Sequence, residues 1–343
     1  MYRVLVSTTV QQNKSPLFSV EMNVSDLSTT ELFKARLMIR QIGSPIISIF
    51  GFCGNVLSVL ALRKSTMTAT TLLLTSLSCA DSLTLLYSVL IPWILALGGY
   101  DLRTMSNFTC KLDLFLTYFW LQLSPWMLVL ITCQRVYCVL KPARVQVVFT
   151  VTRTYLAVCI LVTILFTLNL HFFFTYTLYK NPFTNDRHCY PKEEYVNFMF
   201  RVWTWIDLAM AFGIPFVLLV SGNPTIWTRL RSSDRFRTKA TRRSISRNLK
   251  TRWTAITLAL NTSFIVLVLP SVVFGIGQVY WFPSTDLALD EQRTRMMFVS
   301  TIVFMLMYIN CAVNFVFYIL IGSRFRAELK SVLSSCVKWC KCC

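Results

Sequence analysis

Long apolar stretches alternate with shorter polar segments along this chain. An α-helix rises about 1.5 Å per residue, so about 20 apolar residues are needed to cross about 30 Å of hydrocarbon. Seven stretches reach that length. They lie at residues 42–63, 70–97, 112–140, 153–176, 202–223, 253–278 and 296–321. The pattern predicts an all-α membrane protein, a bundle of seven transmembrane helices.

Polar segments flank the spans and divide the chain. Residues 1–41 form a predicted extracellular tail, residues 42–322 the bundle, and residues 323–343 a short amphipathic eighth helix with a cytoplasmic tail. Cys336 and Cys340 in that tail are predicted palmitoylation sites, because acyl chains hold such a helix at the membrane interface. With 55% hydrophobic and 14% charged residues, the chain is too apolar for an ordinary soluble domain.

Lysine and arginine collect in every second loop, and this distribution sets the orientation. A net charge of +19 would suggest nucleic acid in a soluble protein, but the location of the charge matters more here. Between Arg229 and Arg252 basic residues far outnumber the single acid, Asp234, and smaller basic clusters follow the first, third and seventh spans. The positive-inside rule makes this side the cytosol. We therefore predict a multi-pass plasma-membrane protein with an extracellular N-terminus, a cytoplasmic C-terminus and no nucleic-acid partner.

Glycosylation sequons and two cysteines fall on the predicted outer side. Asn13, Asn23 and Asn107 each begin an Asn-X-Ser/Thr sequon, which agrees with the charge rule. Cys110 and Cys189 lie at or beyond the outer membrane edge, in the oxidising compartment where disulfides persist. A bridge between them would join the second outer loop to the outer end of the third helix.

Short motifs within the spans carry a family resemblance. They are Gly54-Asn55, Leu77-Ser-Cys-Ala-Asp81, Gln134-Arg135-Val136 with Pro142, Phe212-Gly-Ile-Pro215, Phe264 with Pro270, and Asn314-Phe-Val-Phe-Tyr318. This set resembles the rhodopsin-like family of G-protein-coupled receptors, and within that family the chain looks similar to invertebrate neuropeptide receptors. The resemblance implies a receptor, not an enzyme, that needs no cofactor. It also implies an extracellular ligand, a heterotrimeric G protein, and arrestin and kinases as further partners.

The switch that the resemblance implies is altered in this chain. Arg135 would be held in the resting state and released to meet the G protein, with Tyr318 in the same switch. Gln134 replaces the usual acid and cannot form the adjacent salt bridge. Lys250 stands where many relatives carry an acid and would repel Arg135. We therefore predict a looser resting state and raised basal activity.

Prolines inside two spans are candidate hinges. Pro215 and Pro270 each remove a backbone hydrogen bond and kink their helix. A static kink explains them equally well, but the resemblance favours a hinge that lets the sixth helix swing outward. Val268 and Phe315 replace a tryptophan and a proline of the family motifs, so the chain is a divergent relative.

A carboxylate within the second span requires polar partners. An unpaired Asp81 would cost several kcal/mol there, so we predict a buried polar network around it. Asn55, Ser124, Asn310 and Asn314 match the family positions that surround a sodium ion beside this carboxylate. Oxygen ligands suit such a hard cation. The resemblance implies bound sodium, whereas the residues alone require only the network.

A second carboxylate marks the candidate ligand site. Asp207 lies eight residues, about 12 Å, before Pro215 on the fifth span. It is either paired with a basic neighbour such as Arg201 or available to a ligand, and an arginine of a peptide would suit it. Further candidates for this site are Asp113, Gln122, His171, Gln278, Tyr308 and Trp203.

The ligand class follows partly from residues that are missing. The seventh span has Tyr308 instead of the lysine that a retinal protein needs, and the third span has Thr117 instead of the aspartate of amine receptors. Acidic outer loops, with aromatic residues around Cys189, favour a neuropeptide. A non-peptide or chemosensory receptor of the same fold is the alternative. A transporter is disfavoured because the halves of the chain show no internal repeat.

Overall fold

The computed structural model of the chain describes residues 24–180, 187–235, 244–281 and 289–342. It describes side chains within residues 30–180, 187–228, 252–277 and 292–335. The predicted glycosylation sites Asn13 and Asn23 lie outside the described residues. The side chains of Lys250, Gln278, Cys336 and Cys340 also lie outside them, so the predictions for these four stay predictions.

Seven of the described helices are long and apolar enough to cross a membrane. They are helix 1 (Thr30–Lys64), helix 2 (Ala69–Leu97), helix 3 (Asn107–Leu140), helix 4 (Val151–Thr175), helix 5 (Glu193–Thr228), helix 6 (Arg252–Gly277) and helix 7 (Gln292–Ile321). The predicted spans fall on these helices, which confirms the seven-helix bundle. Helix 8 follows at Ser323–Cys342.

Helix 1 begins earlier than its apolar span predicts. Helical structure starts at Val24, whereas the predicted span starts at residue 42. The added turns pack against helix 7, in which helical structure also starts earlier, at Leu289. Packing against another helix therefore stabilises polar turns that hydropathy alone does not place in a helix.

A two-stranded β-hairpin follows helix 4, and the all-α prediction missed it. β1 (Tyr176–Lys180) and β2 (Arg187–Pro191) pair antiparallel, with Leu178 opposite Cys189. Cys189 forms the predicted disulfide with Cys110 at the start of helix 3, with a Cα–Cα distance of 5.6 Å. The disulfide fixes the hairpin over one end of the bundle, which we call the hairpin end. The opposite end is the helix-8 end.

Widened helical turns precede several prolines. Among the described residues, three of the four π-helical turns end two residues before a proline. These are Ile39–Gly43 before Pro45, Leu86–Leu90 before Pro92, and Ala209–Gly213 before Pro215. Proline lacks an N–H and clashes with the carbonyl four residues earlier, and a wider turn removes that clash. The predicted hinge at Pro215 thus lies beside a local π turn, whereas Pro270 lies inside a continuous α-helix, Ser244–Trp281.

Two glycines let helix 1 approach helix 7 closely. A Cβ added at Gly51 would lie 2.6 Å from the Ala312 Cβ, and one added at Gly54 would lie 3.0 Å from the Phe315 side chain. Phe315 occupies the position of the family's proline, and its ring packs near Phe325 of helix 8, with 6.1 Å between ring centroids. The missing side chain at Gly54 therefore makes room for this divergent residue.

Candidate functional site

Aromatic side chains enclose a pocket between helices 3, 5, 6 and 7. The empty space assigned to it, about 510 Å³, includes open solvent. Among the residues that line it are Tyr118, Trp203, Asp207, Ser271, Phe274 and Phe304. Tyr118 and Trp203 also pack on Phe172 beneath the disulfide, so one wall of the pocket is continuous with the hairpin end. The pocket brings together the two predicted ligand residues of helix 5.

The carboxylate of Asp207 is buried against amide groups. It is 4% exposed and accepts a hydrogen bond of 3.0 Å from Gln122 Nε2. Gln122 Oε1 in turn accepts one of 2.8 Å from Asn169 Nδ2. Arg201 is exposed, and it makes no described ion pair with Asp207. The alternative in which Asp207 pairs with Arg201 is therefore wrong for the described structure, and the carboxylate faces the pocket with a neutral amide as its hydrogen-bond partner.

Two of the ligand candidates lie outside the pocket and contact residues that line it. The ring of His171 contacts Trp203 and Phe172, with centroid distances of 4.0 Å and 4.3 Å. Gln122 is fully buried and orients Asp207. Neither residue lines the pocket, and both act by fixing residues that do.

Two further candidates lie away from the pocket. Asp113 is 3% exposed and forms an ion pair of 2.6 Å with Arg103, on the short helix Leu102–Met105. This contact anchors the loop between helices 2 and 3. Tyr308 of helix 7 is half-buried and does not line the pocket. The pocket therefore contains Asp207 and Trp203, whereas these two candidates lie outside it.

The predicted network around Asp81 forms between helices 2, 3 and 7. Its carboxylate accepts hydrogen bonds from Ser124 Oγ at 2.5 Å and from Asn314 Nδ2 at 2.6 Å. Asn55 Nδ2 donates to the backbone carbonyl of Cys311 at 2.9 Å, and Asn55 Oδ1 is buried without a partner. Carboxylate, hydroxyl and amide oxygens are the kinds of ligand that hard cations prefer.

Asn310, the remaining member of the predicted set, is 7% exposed on helix 7. No hydrogen bond of its side chain is described, so the structure does not bring it into the Asp81 network. The described residues also hold no cluster of three or more histidine, cysteine, aspartate or glutamate side chains that could bind a metal. Any cation beside Asp81 would therefore depend on neutral oxygen ligands.

The arginine of the predicted switch is held by a hydroxyl group. Arg135 is 5% exposed, and its Nη2 donates to the Thr70 hydroxyl of helix 2. A longer contact of 3.4 Å joins it to Gln134 Oε1. No carboxylate contacts it among the described residues, and its Nε is buried without a partner. Thr70 was not predicted, because nothing in the sequence marks which helix-2 hydroxyl faces Arg135.

Tyr318, the other switch residue, lies near the end of helix 7 and contacts helix 8. It is 1% exposed, and its ring packs on Phe325 with 5.5 Å between centroids. Its hydroxyl is buried without a described partner. The ring therefore joins the end of helix 7 to helix 8 in this structure.

Polar side chains also join helices 3, 5 and 6, and we call them the inner bridge: Thr132, Asn261 and Asn223. Thr132 Oγ1 donates to Asn261 Oδ1 at 3.0 Å, and Asn261 Nδ2 donates to Asn223 Oδ1 at 2.8 Å. Asn261 is fully buried. A Cβ added at Gly222 would lie 2.8 Å from Thr132 Cγ2, so a glycine lets helix 5 reach this contact.

The sequon at Asn107 lies in the first turn of helix 3. Asn107 is exposed, and its Oδ1 accepts a hydrogen bond of 3.1 Å from the Leu178 backbone of β1. Ser106 and Thr109 form a capping box at the same helix end. Glycosylation of Asn107 stays a prediction.

Comparison with known families agrees with this architecture. The family model described as 7 transmembrane receptor (rhodopsin family) matches residues 54–318, which is more than half of the chain. No curated protein matches the chain. The matched region contains Asp81, Arg135, Asp207 and the disulfide. The chain belongs to the rhodopsin family of seven-transmembrane receptors.

Proposed function

We propose that this receptor binds an extracellular neuropeptide at its hairpin end and activates a heterotrimeric G protein at its helix-8 end. The observation that carries the proposal is Asp207, a buried carboxylate that accepts a hydrogen bond from one amide and faces an aromatic pocket. A buried carboxylate without a cation is costly, and the cationic group of a ligand would offset that cost.

The pocket wall supports a peptide as the ligand. An arginine or lysine side chain would reach Asp207, where aromatic faces also attract cations. Tyr118 and Trp203, 6.2 Å apart between centroids, offer apolar area to a neighbouring side chain of the peptide. The wall continues to the hairpin, whose paired backbone gives the rest of a peptide a firm surface. A small cationic non-peptide ligand would use only the Asp207 end.

Activation would separate helix 6 from helices 3 and 5 at the helix-8 end. The inner bridge crosses this boundary, so outward movement of helix 6 must break it. Arg135 would then leave the Thr70 hydroxyl to meet the G protein. Because neither contact of Arg135 involves a carboxylate, less energy opposes its release, which supports the expected basal activity.

The ligand experiment uses cells with a promiscuous Gα protein and a calcium readout. We expect a response to a basic neuropeptide from a library of free-acid and amidated peptides. Asp207→Asn should lower its potency about 30-fold or more, since truncating one partner of a buried charge pair costs about 2–5 kcal/mol. Asp101→Asn is the matched control, because Asp101 is an exposed acid whose helix-capping contact asparagine preserves.

Arg135→Ala and mock-transfected cells serve as negative controls for signalling in the same experiment. A peptide response that survives Asp207→Asn unchanged would contradict the site. A response to small amines without any response to peptides would contradict the ligand class. Silence of all variants despite confirmed surface expression would contradict G-protein activation by these ligands.

Sodium binding beside Asp81 has a test that needs no ligand. The melting temperature of the purified receptor should be higher in sodium chloride than in choline chloride of equal ionic strength. At a sodium concentration of about five times Kd, the gain in folding free energy is about 1 kcal/mol. Asp81→Asn should remove the difference, whereas Asp207→Asn should retain it. Equal melting temperatures in the two salts for the unmodified receptor would contradict sodium binding.

A further inference from the structure

Helix 1 carries a buried arginine, Arg36, that forms no ion pair among the described residues. Arg36 is 8% exposed, and its Nε is buried without a hydrogen-bond partner. The nearby acid of helix 1, Glu31, forms its ion pair with Lys34 at 2.9 Å, where both side chains are exposed. Burial of a guanidinium group without an acceptor is costly, so an acceptor from outside the chain is expected here.

A second arginine adds positive charge to the same region. Arg40 lies one helical turn beyond Arg36, and the two charges interact electrostatically. Asp113 pairs with Arg103, which leaves the charges of Arg36 and Arg40 uncompensated among the described ion pairs.

We propose that Arg36 and Arg40, on the part of helix 1 that packs against helix 7, bind a carboxylate of the ligand. A guanidinium group presents N–H donors in a planar fork that matches a carboxylate, and two neighbouring arginines favour an anion over a neutral amide. The inference rests on the proposed receptor function and adds an anionic subsite to the cationic one at Asp207.

A ligand with both charges follows from the two subsites. A peptide that carries a basic side chain and a free carboxylate fits this pattern better than an amidated peptide. A phosphate group of an outer-leaflet lipid offers the same acceptor chemistry, since arginine near a membrane boundary reaches headgroups. The test must therefore separate a soluble carboxylate from a lipid headgroup.

The experiment detects anion binding through the thermal stability of the receptor and does not depend on signalling. The full-length receptor is placed in nanodiscs of phosphatidylcholine, and its melting temperature is recorded with N-acetyl-phenylalanine or with the uncharged amide of the same molecule. The acid should raise the melting temperature by about 2–4 °C at several times its Kd, and the amide should not. Arg36→Gln should abolish the shift, and Arg40→Gln should at least halve it.

Two variants serve as controls. Arg201→Gln removes an exposed arginine of helix 5 at the same end of the bundle and should keep the full shift. Asp207→Asn should also keep it, so failure of the peptide site and failure of the anion site are distinguishable. Because Arg40 is exposed, Arg40→Gln changes charge without leaving a buried cavity, and it covers the case in which Arg36→Gln does not fold.

Three results would overturn the inference. The acid and the amide could stabilise the receptor equally, or the shift could persist in both Arg36→Gln and Arg40→Gln. The third result would come from the same measurement in nanodiscs that contain phosphatidylglycerol. If this lipid raises the melting temperature through Arg36 and the acid then adds nothing in either lipid, the site belongs to a headgroup.

Discussion

We expect Asn261→Leu to raise ligand-independent signalling about 5- to 150-fold, up to the ceiling of the assay. Asn261 makes both hydrogen bonds of the inner bridge, at 3.0 Å and 2.8 Å, and it is fully buried. Two such bonds contribute about 1–3 kcal/mol, which is the coupling range that shifts a two-state equilibrium by this factor. Leucine has a similar size, so the helices keep their packing while the link between them is lost.

A control variant on the same helix separates this effect from general damage. The hydroxyl of Ser263 bonds to the Leu260 carbonyl within helix 6, so Ser263→Ala should leave basal signalling unchanged. Asn223→Leu breaks one of the two bonds and should give a smaller rise, with the double variant close to Asn261→Leu because the effects are not additive. Unchanged basal activity in Asn261→Leu at normal surface expression would contradict a restraining role for the bridge.

Gly51→Ala should lower surface expression several-fold. The added Cβ would lie 2.6 Å from the Ala312 Cβ, 2.7 Å from Leu85 Cδ1 and 2.8 Å from the Ala312 Cα, so backbone must move. Such overpacking costs about 1–3 kcal/mol, and 1–2 kcal/mol is enough to change cellular abundance several-fold. Flow cytometry of an N-terminal tag on intact cells, with total protein from the same cells, measures the effect.

Helix 1 also provides a matched control for Gly51→Ala. Gly43 has no heavy atom within 4 Å of its added Cβ and has helical backbone angles, so Gly43→Ala should leave expression equal or slightly higher. Ala312→Gly in the Gly51→Ala background removes one of the close contacts and should restore part of the expression. Normal expression of Gly51→Ala, or equal loss in Gly43→Ala, would show that this helix contact is not tightly packed.

The sequence predicted the seven helices because hydrocarbon imposes a length and a composition that few soluble segments share. It missed the start of helix 1, where turns that include Arg36 are held by helix 7 instead of by hydrocarbon. It also missed the β-hairpin. Strand pairing in a short loop depends on the disulfide and on the packing beneath it, neither of which leaves a periodic pattern.

Part of the candidate site was also predictable. The motif positions of Asp81 and Asn314 are shared by the family, and the structure joins them. Thr70, Asn169 and Asn261 were not predicted, although each holds a buried polar partner. Hydroxyl and amide side chains are common on apolar helices and often bond to their own backbone. Only the rotation of each helix within the bundle decides which of them meet across helices.

The π turn at Ala209–Gly213 lies between Asp207 and Pro215, and its wider geometry accommodates about one extra residue. One residue corresponds to about 100° of rotation around a helix axis. If this turn became α-helical, the segment that carries Asp207 and Trp203 would rotate away from the pocket, while the residues after Pro215 stayed in place. A ligand that holds Asp207 therefore also selects the helical pitch of helix 5.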